Sequence, residues 1–504
     1  MRMKLIALLL LMVLAVTPAC RGTDWFVSTN GSGNGSDQFP WALQVALTKA
    51  AVQPGDTVWL RGGTYFPSSR ILTGTNFPGG APGWRVSISG TTTNLITFRS
   101  YPSEWAKVDR PWRFGNSDCL RFRDLEFFDS LKGVNPGHPS YPDPRPWVHF
   151  DDSRGQTHHE WINCIIHDVN NVWATSAAGR LIRGCVIWHS GNSHLDHVCY
   201  NCPDEFTGNI SGWHSCDALN LTPRPFLCRS NIFFGSGQTL NERSGGDFRL
   251  NIDSIVEFNY TYNRYTNNRT APSMIVSDGS FNINNNKMVS CGACIMFSGS
   301  AVSANVRSNT FHMGQAFDDY VVLYRGTTNN SWSFNDNRYT AQPPSRPVMF
   351  EDPGSVRKTF VQWRAAFPSF DTASTSTNTA LPPDSVHVIP NQDEPKRAHI
   401  AIFNFATNST ATVSLPGVLN AGDRYSLYSA QNYGAGPIQT GTYNGASISV
   451  PMTNLSVAPL LYSDPIWGLV APPPTSPEFA AFVLIGSSAS GLGPATGLHV
   501  IPPN

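Results

Sequence analysis

Asn163-Cys-Ile-Ile-His-Asp168, Gly184-Cys-Val-Ile-Trp-His-Ser-Gly191 and Gly208-Asn-Ile-Ser-Gly-Trp-His-Ser-Cys216 read almost as copies of one another, and Ser230-Asn-Ile-Phe-Phe-Gly-Ser-Gly237 follows as a fourth. Each is a short apolar or β-branched run closed by a turn of small residues. The Asn or Cys near the start of each sits at 164, 185, 209 and 231, giving steps of 21, 24 and 22 residues. The pattern goes on at Asn259, Asn286, Asn309 and Asn337, with steps of 28, 27, 23 and 28. A period in the twenties is the signature of a solenoid.

Residue type selects the solenoid. Long stretches of 3.6 periodicity are missing, which excludes helical repeats, and regularly placed leucines are missing too. What recurs is a strand of three to five residues, a Gly/Asn/Ser turn and another short strand. One such coil buries little alone, but stacked coils pair their strands in parallel around a continuous core. The repeating Asn is read as a structural ladder, hydrogen-bonded from coil to coil as polar side chains are in other stacked-strand structures.

Composition narrows the function. Charged residues make up 14% of the 504-residue chain, formal net charge is zero, and there are 14 Trp. No basic stripe points to nucleic acid and no acidic tail to a cationic partner. Met1 to Ala19 reads as a signal peptide: Arg2 and Lys4 precede an apolar run from Leu5 to Val16, and Thr17-Pro18-Ala19 supplies small residues for cleavage. The expected location is secreted or cell envelope, of bacterial type. Cys20 offers a lipid anchor, although Thr17 stands where a lipoprotein signal prefers Leu. Secretion permits disulfides. Cys164 and Cys185 hold equivalent coil positions and are read as core residues. Cys199-x-x-Cys202 and Cys291-x-x-Cys294 have the spacing of zinc half-sites, yet lie far apart, so disulfides or buried thiols are the preferred reading.

Near the N-terminus, Pro40 to Ala51 predicts a short amphipathic helix. Pro54-Gly-Asp-Thr-Val-Trp-Leu-Arg-Gly-Gly-Thr-Tyr65 follows as a strand between turns. This helix and Pro-Gly-Asp-Thr stretch resemble the N-terminal cap and first coil of secreted right-handed parallel β-helix proteins of the pectate-lyase-like superfamily. Such a cap covers the open end of the core. The resemblance covers about residues 24–370 and implies an all-β fold, a right-handed parallel β-helix. It carries no active-site residue across. The chain lacks the Asn-Thr-Asp, Asp-Asp and Gly-His-Gly set of polygalacturonases and the Asp-Pro-His-Asp motif of alginate epimerases. It has no clear Lys/Arg pair like that of alginate and chondroitin lyases.

The expected organisation is a signal peptide at 1–19, a β-helix with capping helices at 24–370, a Ser/Thr/Pro linker at 371–384, a β-sandwich at 385–486 and a tail at 487–504. Residues 356–370 read as the helix that closes the far end. The sandwich is inferred from strands separated by turns every eight to twelve residues. It resembles the antiparallel C-terminal sandwich attached to many glycoside hydrolases. Two long excursions, 131–160 and 240–256, are read as loops on a binding face.

The candidate chemistry sits in the central coils. Matching their turns stacks His167, His189 and His214, with His194, Asp196, His197 and Asp217 just beyond. Asp196 and Asp217 are 21 residues apart. Adjacent parallel strands about 4.8 Å apart would bring them near the roughly 5 Å carboxylate spacing of a retaining glycosidase. Asp168 with Asp217, two coils apart, would suit the wider inverting geometry. A lyase would instead use His189, His194, His197 or His214 as base, with Arg224, Arg243 or Arg249 stabilising the enolate. The catalytic candidates are thus His189, His194, Asp196, His197, His214 and Asp217. Trp147, His149, Arg224, Arg243 and Arg249 are the candidates for substrate binding. Trp173, Trp188 and Trp213 are the right type to stack on sugars but read individually as core. No metal ligand set is assigned. Ca²⁺ at Asp196, Asp217 and their neighbours is conceivable, but no loop has regular calcium-ligand spacing. The expected partner is a polysaccharide or oligosaccharide, degraded by a hydrolase or lyase; the alternative is a non-catalytic glycan-binding or structural surface protein.

Overall fold

A computed structural model describes the chain from Gly22 to Ser487 apart from several segments, the longest being 131–156, 236–247, 264–272, 314–320, 342–347 and 461–472. The leader, Cys20 and the tail beyond 487 lie outside the described residues.

Three sheets wrap one core. Among the described residues, sheet A has 12 strands from Asp24–Val27 to Trp332–Asn335, and sheet B has 12 from Gly63–Tyr65 to Thr375–Thr377. Sheet C has nine, from Trp173–Ala174 to Arg357–Thr359, and only its last pair is antiparallel. The fold is a right-handed parallel β-helix. Sequence reading expects two strands per coil, and the third sheet is the difference. Its central strands, such as Cys199–Tyr200 and Leu219–Asn220, have two residues each, too few to show a period. For the same reason 240–256 is not one loop: Phe248–Leu250 belongs to sheet C and Ser254–Glu257 to sheet A.

Alternation along each strand fills the interior. In sheet A, Phe98, Phe122 and Trp161 are wholly buried and stack from coil to coil, with ring centroids 5.7 Å and then 4.5 Å apart. The Asn positions form the expected ladder. The side chain of Asn209 donates to that of Asn231 at 3.1 Å, Asn231 to Asn259 at 2.9 Å, Asn259 to Asn286 at 3.0 Å, Asn286 to Asn309 at 3.0 Å and Asn309 to Asn337 at 3.1 Å. Each Asn also donates to a backbone carbonyl, as Asn259 does to Cys228 at 3.0 Å. Upstream the ladder passes to buried thiols, with Cys185 Sγ 3.4 Å from the Trp161 carbonyl and Cys164 Sγ 3.4 Å from that of Phe122.

Both ends of the core are covered. Helix α1 is shorter than predicted, Leu43–Ala46, and buries Leu43 and Ala46. Helix α2, Phe360–Ala366, starts with a capping box between Thr359 and Gln362. Its Trp363 is fully buried and donates to Asp371 at 2.9 Å. Asp371 also accepts from Tyr339 at 2.9 Å, so helix, ladder and last coil meet at one carboxylate. Cys119, Cys164 and Cys185 are buried free thiols, and Cys199, Cys228 and Cys294 are buried in the same core; Cys202 and Cys291 lie outside the described residues.

From Ser385 the chain forms a five-stranded antiparallel sheet whose middle strand is Phe479–Ser487, plus the pair Thr410–Ser414 with Ser447–Pro451. The five-stranded sheet is buried on both faces. Ala398, Ile400 and Ile402 face the sandwich core with Ala480, Phe482 and Leu484. Ala401, Phe403, Phe479, Ala481 and Val483 face the other way and pack on the outside of sheet B, against Trp188, Trp213, Phe234 and Tyr262. The sandwich is therefore docked along the solenoid. Tyr262 and Phe479 stack 4.7 Å apart at 4°, and Lys287 donates to Ser385 at 2.6 Å.

Candidate functional site

The outer face of sheet B holds the histidines expected to stack, and the register separates them. Ile165 pairs with Val186 and Val186 with Ile210, so His167 lies beside Trp188, and Trp188 beside Gly212. His189 falls one residue past its strand and His214 two past its own. The steps of 21 and 24 residues govern; those of 22 and 25 do not. A slip of one residue moves a side chain to the opposite face of a sheet.

His167 is the centre of an ionic network. Its ring lies parallel between Phe128 and Trp188, with centroids 5.5 and 4.6 Å away and both planes within 3°. Nδ1 is 2.7 Å from Asp168 Oδ2, and Nε2 is 3.3 Å from Glu126 Oε1. Glu126 also accepts from Trp105 Nε1 at 2.6 Å and pairs with Lys107 at 3.4 Å. Burial alone would lower the pKa of His167, but the two carboxylates outweigh it and raise it to about 9. Burial works in the opposite sense on Glu126, and its cationic partners hold its pKa below the usual value. At neutral pH His167 is a cation with both ring nitrogens engaged by carboxylates, a poor general base. His189 Nδ1 lies 3.5 Å from Asp168 Oδ1.

His214 and His197 are enclosed. His214 is fully buried between Ser190 Oγ at 2.7 Å and Ser211 Oγ at 2.8 Å. His197 is buried ahead of sheet C, its Nε2 3.2 Å from Asn220 Nδ2. His194, Asp196, Asp217, Arg224, Arg243, Trp147 and His149 lie outside the described residues. Trp173 is in the solenoid core, while Trp188 and Trp213 are covered by the sandwich. None of these three is an open sugar platform. Their large apolar rings are more favourably placed out of water.

Sheet C carries the remaining candidate. One row of its register runs Trp173, Cys199, Leu219, Phe248, Met274, Ile295, and its described members belong to the core. The alternate row runs Ala174, Tyr200, Asn220, Arg249, Ile275, Met296. Tyr200, Asn220 and Arg249 thus occupy successive coils, about 4.8 Å apart. Arg249 is a candidate that the sequence offers; Tyr200 and Asn220 are not, because strands of two residues show no alternation. Among the described residues no group of three or more His, Cys, Asp or Glu is arranged to hold a metal ion.

By fold, then, the chain is a right-handed parallel β-helix protein with a docked antiparallel sandwich. No family model matches the sequence, and no curated protein matches it. Similar solved structures include a GH136 lacto-N-biosidase from Eubacterium ramulus, 12% identical, with TM-score 0.45 over 71% of this chain and 68% of that one. A mannuronic acid specific polysaccharide family 6 lyase from human gut microbiota is 12% identical, with TM-score 0.37 over 71% of this chain and 91% of the other. The tailspike protein of E. coli bacteriophage HK620, as a double mutant, is 9% identical, with TM-score 0.30 over 91% and 93%.

Proposed function

We propose that this is a secreted protein that binds a polysaccharide along the outer row of sheet C and cleaves it, as a glycoside hydrolase or a polysaccharide lyase. The observation that carries the reading is the succession of Tyr200, Asn220 and Arg249 on adjacent coils of sheet C, whereas the apolar face of the sandwich packs on sheet B. A linear row of hydrogen-bonding and aromatic residue types at coil spacing suits a linear polymer. His197, bonded to Asn220, fixes that amide from behind. His194, Asp196 and Asp217 precede the same strands in sequence and are the proposed acid and base groups; Arg249 is the proposed charge stabiliser.

The test is incubation of the purified protein with a panel of neutral and uronate polysaccharides. New ultraviolet absorbance from unsaturated ends identifies a lyase, and new reducing ends without it a hydrolase. Arg249→Ala is expected to lower kcat/KM at least tenfold, about 1.4 kcal/mol, with little change in thermal midpoint, and Asn220→Ala to lower kcat/KM as far and the thermal midpoint as well, because Asn220 is buried and bonded to His197. Binding without cleavage anywhere in the panel would leave a glycan-binding surface protein as the better account.

A further inference from the structure

A second site is marked by an aromatic residue in a place that the fold reserves for others. Between sheets A and B each coil turns through one residue in the left-handed conformation. These are Asp124, Asn163, Gly184, Gly208, Ser230, Phe258, Asn285, Ser308 and Asp336, with φ between 55° and 63°. They are equivalent, since each of the first eight donates its backbone N–H to the next coil, as Ser230 does to Glu257 and Phe258 to Asn284. Eight of the nine are Gly, Ser, Asn or Asp, which accept this conformation at low cost or leave a short polar group in water. Phe258 does neither. It holds a bulky side chain in a disfavoured region, φ 56°, and leaves it 42% exposed.

Phe258 lines a cleft of about 310 Å³ between the solenoid and the sandwich segment that includes Asn391 and Gln392. Leu227 lines it too, and beside Leu227 in the register stands Ile255, 41% exposed. On the other side of Leu227 in the register stands Glu205, in a polar part of the lining whose charges are already matched. Glu205 is held by Arg183 through two bonds of 2.7 Å and accepts from Thr207 at 2.7 Å. Arg229 is paired with Glu257. Gln392 reaches Thr207 and Glu205 only through long contacts of 3.3 and 3.5 Å, so its amide is easily re-paired.

We propose that this interdomain cleft is a binding site for one or two residues of a neutral glycan, separate from the sheet C row. A sugar ring presents an apolar C–H face and a rim of hydroxyls. Phe258 supplies a flat surface for the first, and Thr207, Glu205 and Gln392 supply neutral or charge-compensated hydrogen-bond groups for the second. The paired charges disfavour an anionic uronate, which would have to displace Glu205 from Arg183. The backbone cost at 258 is retained because the ring is useful in the cleft.

The test is calorimetric titration of the purified protein with lactose, cellobiose and digalacturonate. A neutral disaccharide is expected to bind at least about tenfold more tightly than digalacturonate. Phe258→Ser, which installs the residue found at Ser230 and Ser308, is expected to weaken that binding at least about tenfold while the Tm holds or rises. Gln392→Ala is expected to weaken it as well, and Asn220→Ala to leave it unchanged. The proposal is overturned if neither neutral disaccharide binds, if binding survives Phe258→Ser, if Asn220→Ala abolishes it, or if Phe258→Ser lowers Tm as loss of a structural residue would. Cleavage assays on the sheet C variants are independent of these outcomes, so either site can fail without the other.

Discussion

At the scale of single residues, His167 shows how little a residue type says without its neighbours. Its position in a short β strand is legible in the repeat. Its state was not, because Glu126 comes from 41 residues earlier and Trp188 from 21 later. With Asp168 and Glu126 raising its pKa to about 9 from 6.5, the folded chain holds a proton that the unfolded chain releases. The stabilisation is fully present below pH 6.5 and is lost as pH rises through about 9. Urea unfolding of the wild type is therefore expected to show falling stability over that interval, and His167→Gln to remove most of the fall while lowering stability at pH 6.5. A wild type and variant with parallel profiles would show that the carboxylates do not hold the proton. The Phe258 ring makes the complementary point, since its residue type was visible but its backbone conformation was not.

At the scale of elements, the Asn ladder was the most legible feature, because its members recur at the coil period and each performs the same local task. Asn259 illustrates the energetics. Its side chain accepts from the Asn231 amide nitrogen at 3.0 Å and donates to Cys228 and Asn286. Removing it leaves buried donors and acceptors without partners, at roughly 1–3 kcal/mol for each group. Asn259→Ala is expected to lower the urea midpoint far more than Asn305→Ala, whose half-buried side chain makes a 3.4 Å contact with Asn282. Equal losses would mean that the ladder adds nothing beyond packing. Sheet C was the least legible element. Two residues per strand cannot display alternation, and its neighbouring segments vary in length, so the row containing Tyr200, Asn220 and Arg249 emerged only from the pairing.

At the scale of the whole molecule, the docking of the sandwich on sheet B decides which faces remain for a ligand. Phe479 stacks on Tyr262 and packs against Phe403 at 5.0 Å and Phe234 at 5.9 Å, joining solenoid to sandwich. Phe479→Ala is expected to cost about 3–5 kcal/mol and to split the calorimetric transition, the sandwich melting first. A loss no larger than that of Val361→Ala, at a 77% exposed position, would show the contact to be incidental. The docking also explains the sequence of the middle strand. Phe479-Ala-Ala-Phe-Val-Leu-Ile485 is apolar at every position because both of its faces are buried. The same holds for Ile232-Phe-Phe234 on the solenoid side. Runs like these signal burial on two sides without saying what supplies the second.

The amino-acid sequence by itself determined the solenoid, its Asn ladder, its capping helices and the presence of a C-terminal sandwich. All of these depend on patterns that repeat locally or lie within a few residues of one another. The tertiary structure decided the third sheet, the offset of His167, His189 and His214, the covering of Trp188 and Trp213, and the cleft beside Phe258. Each of those depends on which distant residues meet. In a solenoid that is set by the exact length of every coil, and a change of one residue in that length turns a side chain from one face to the other.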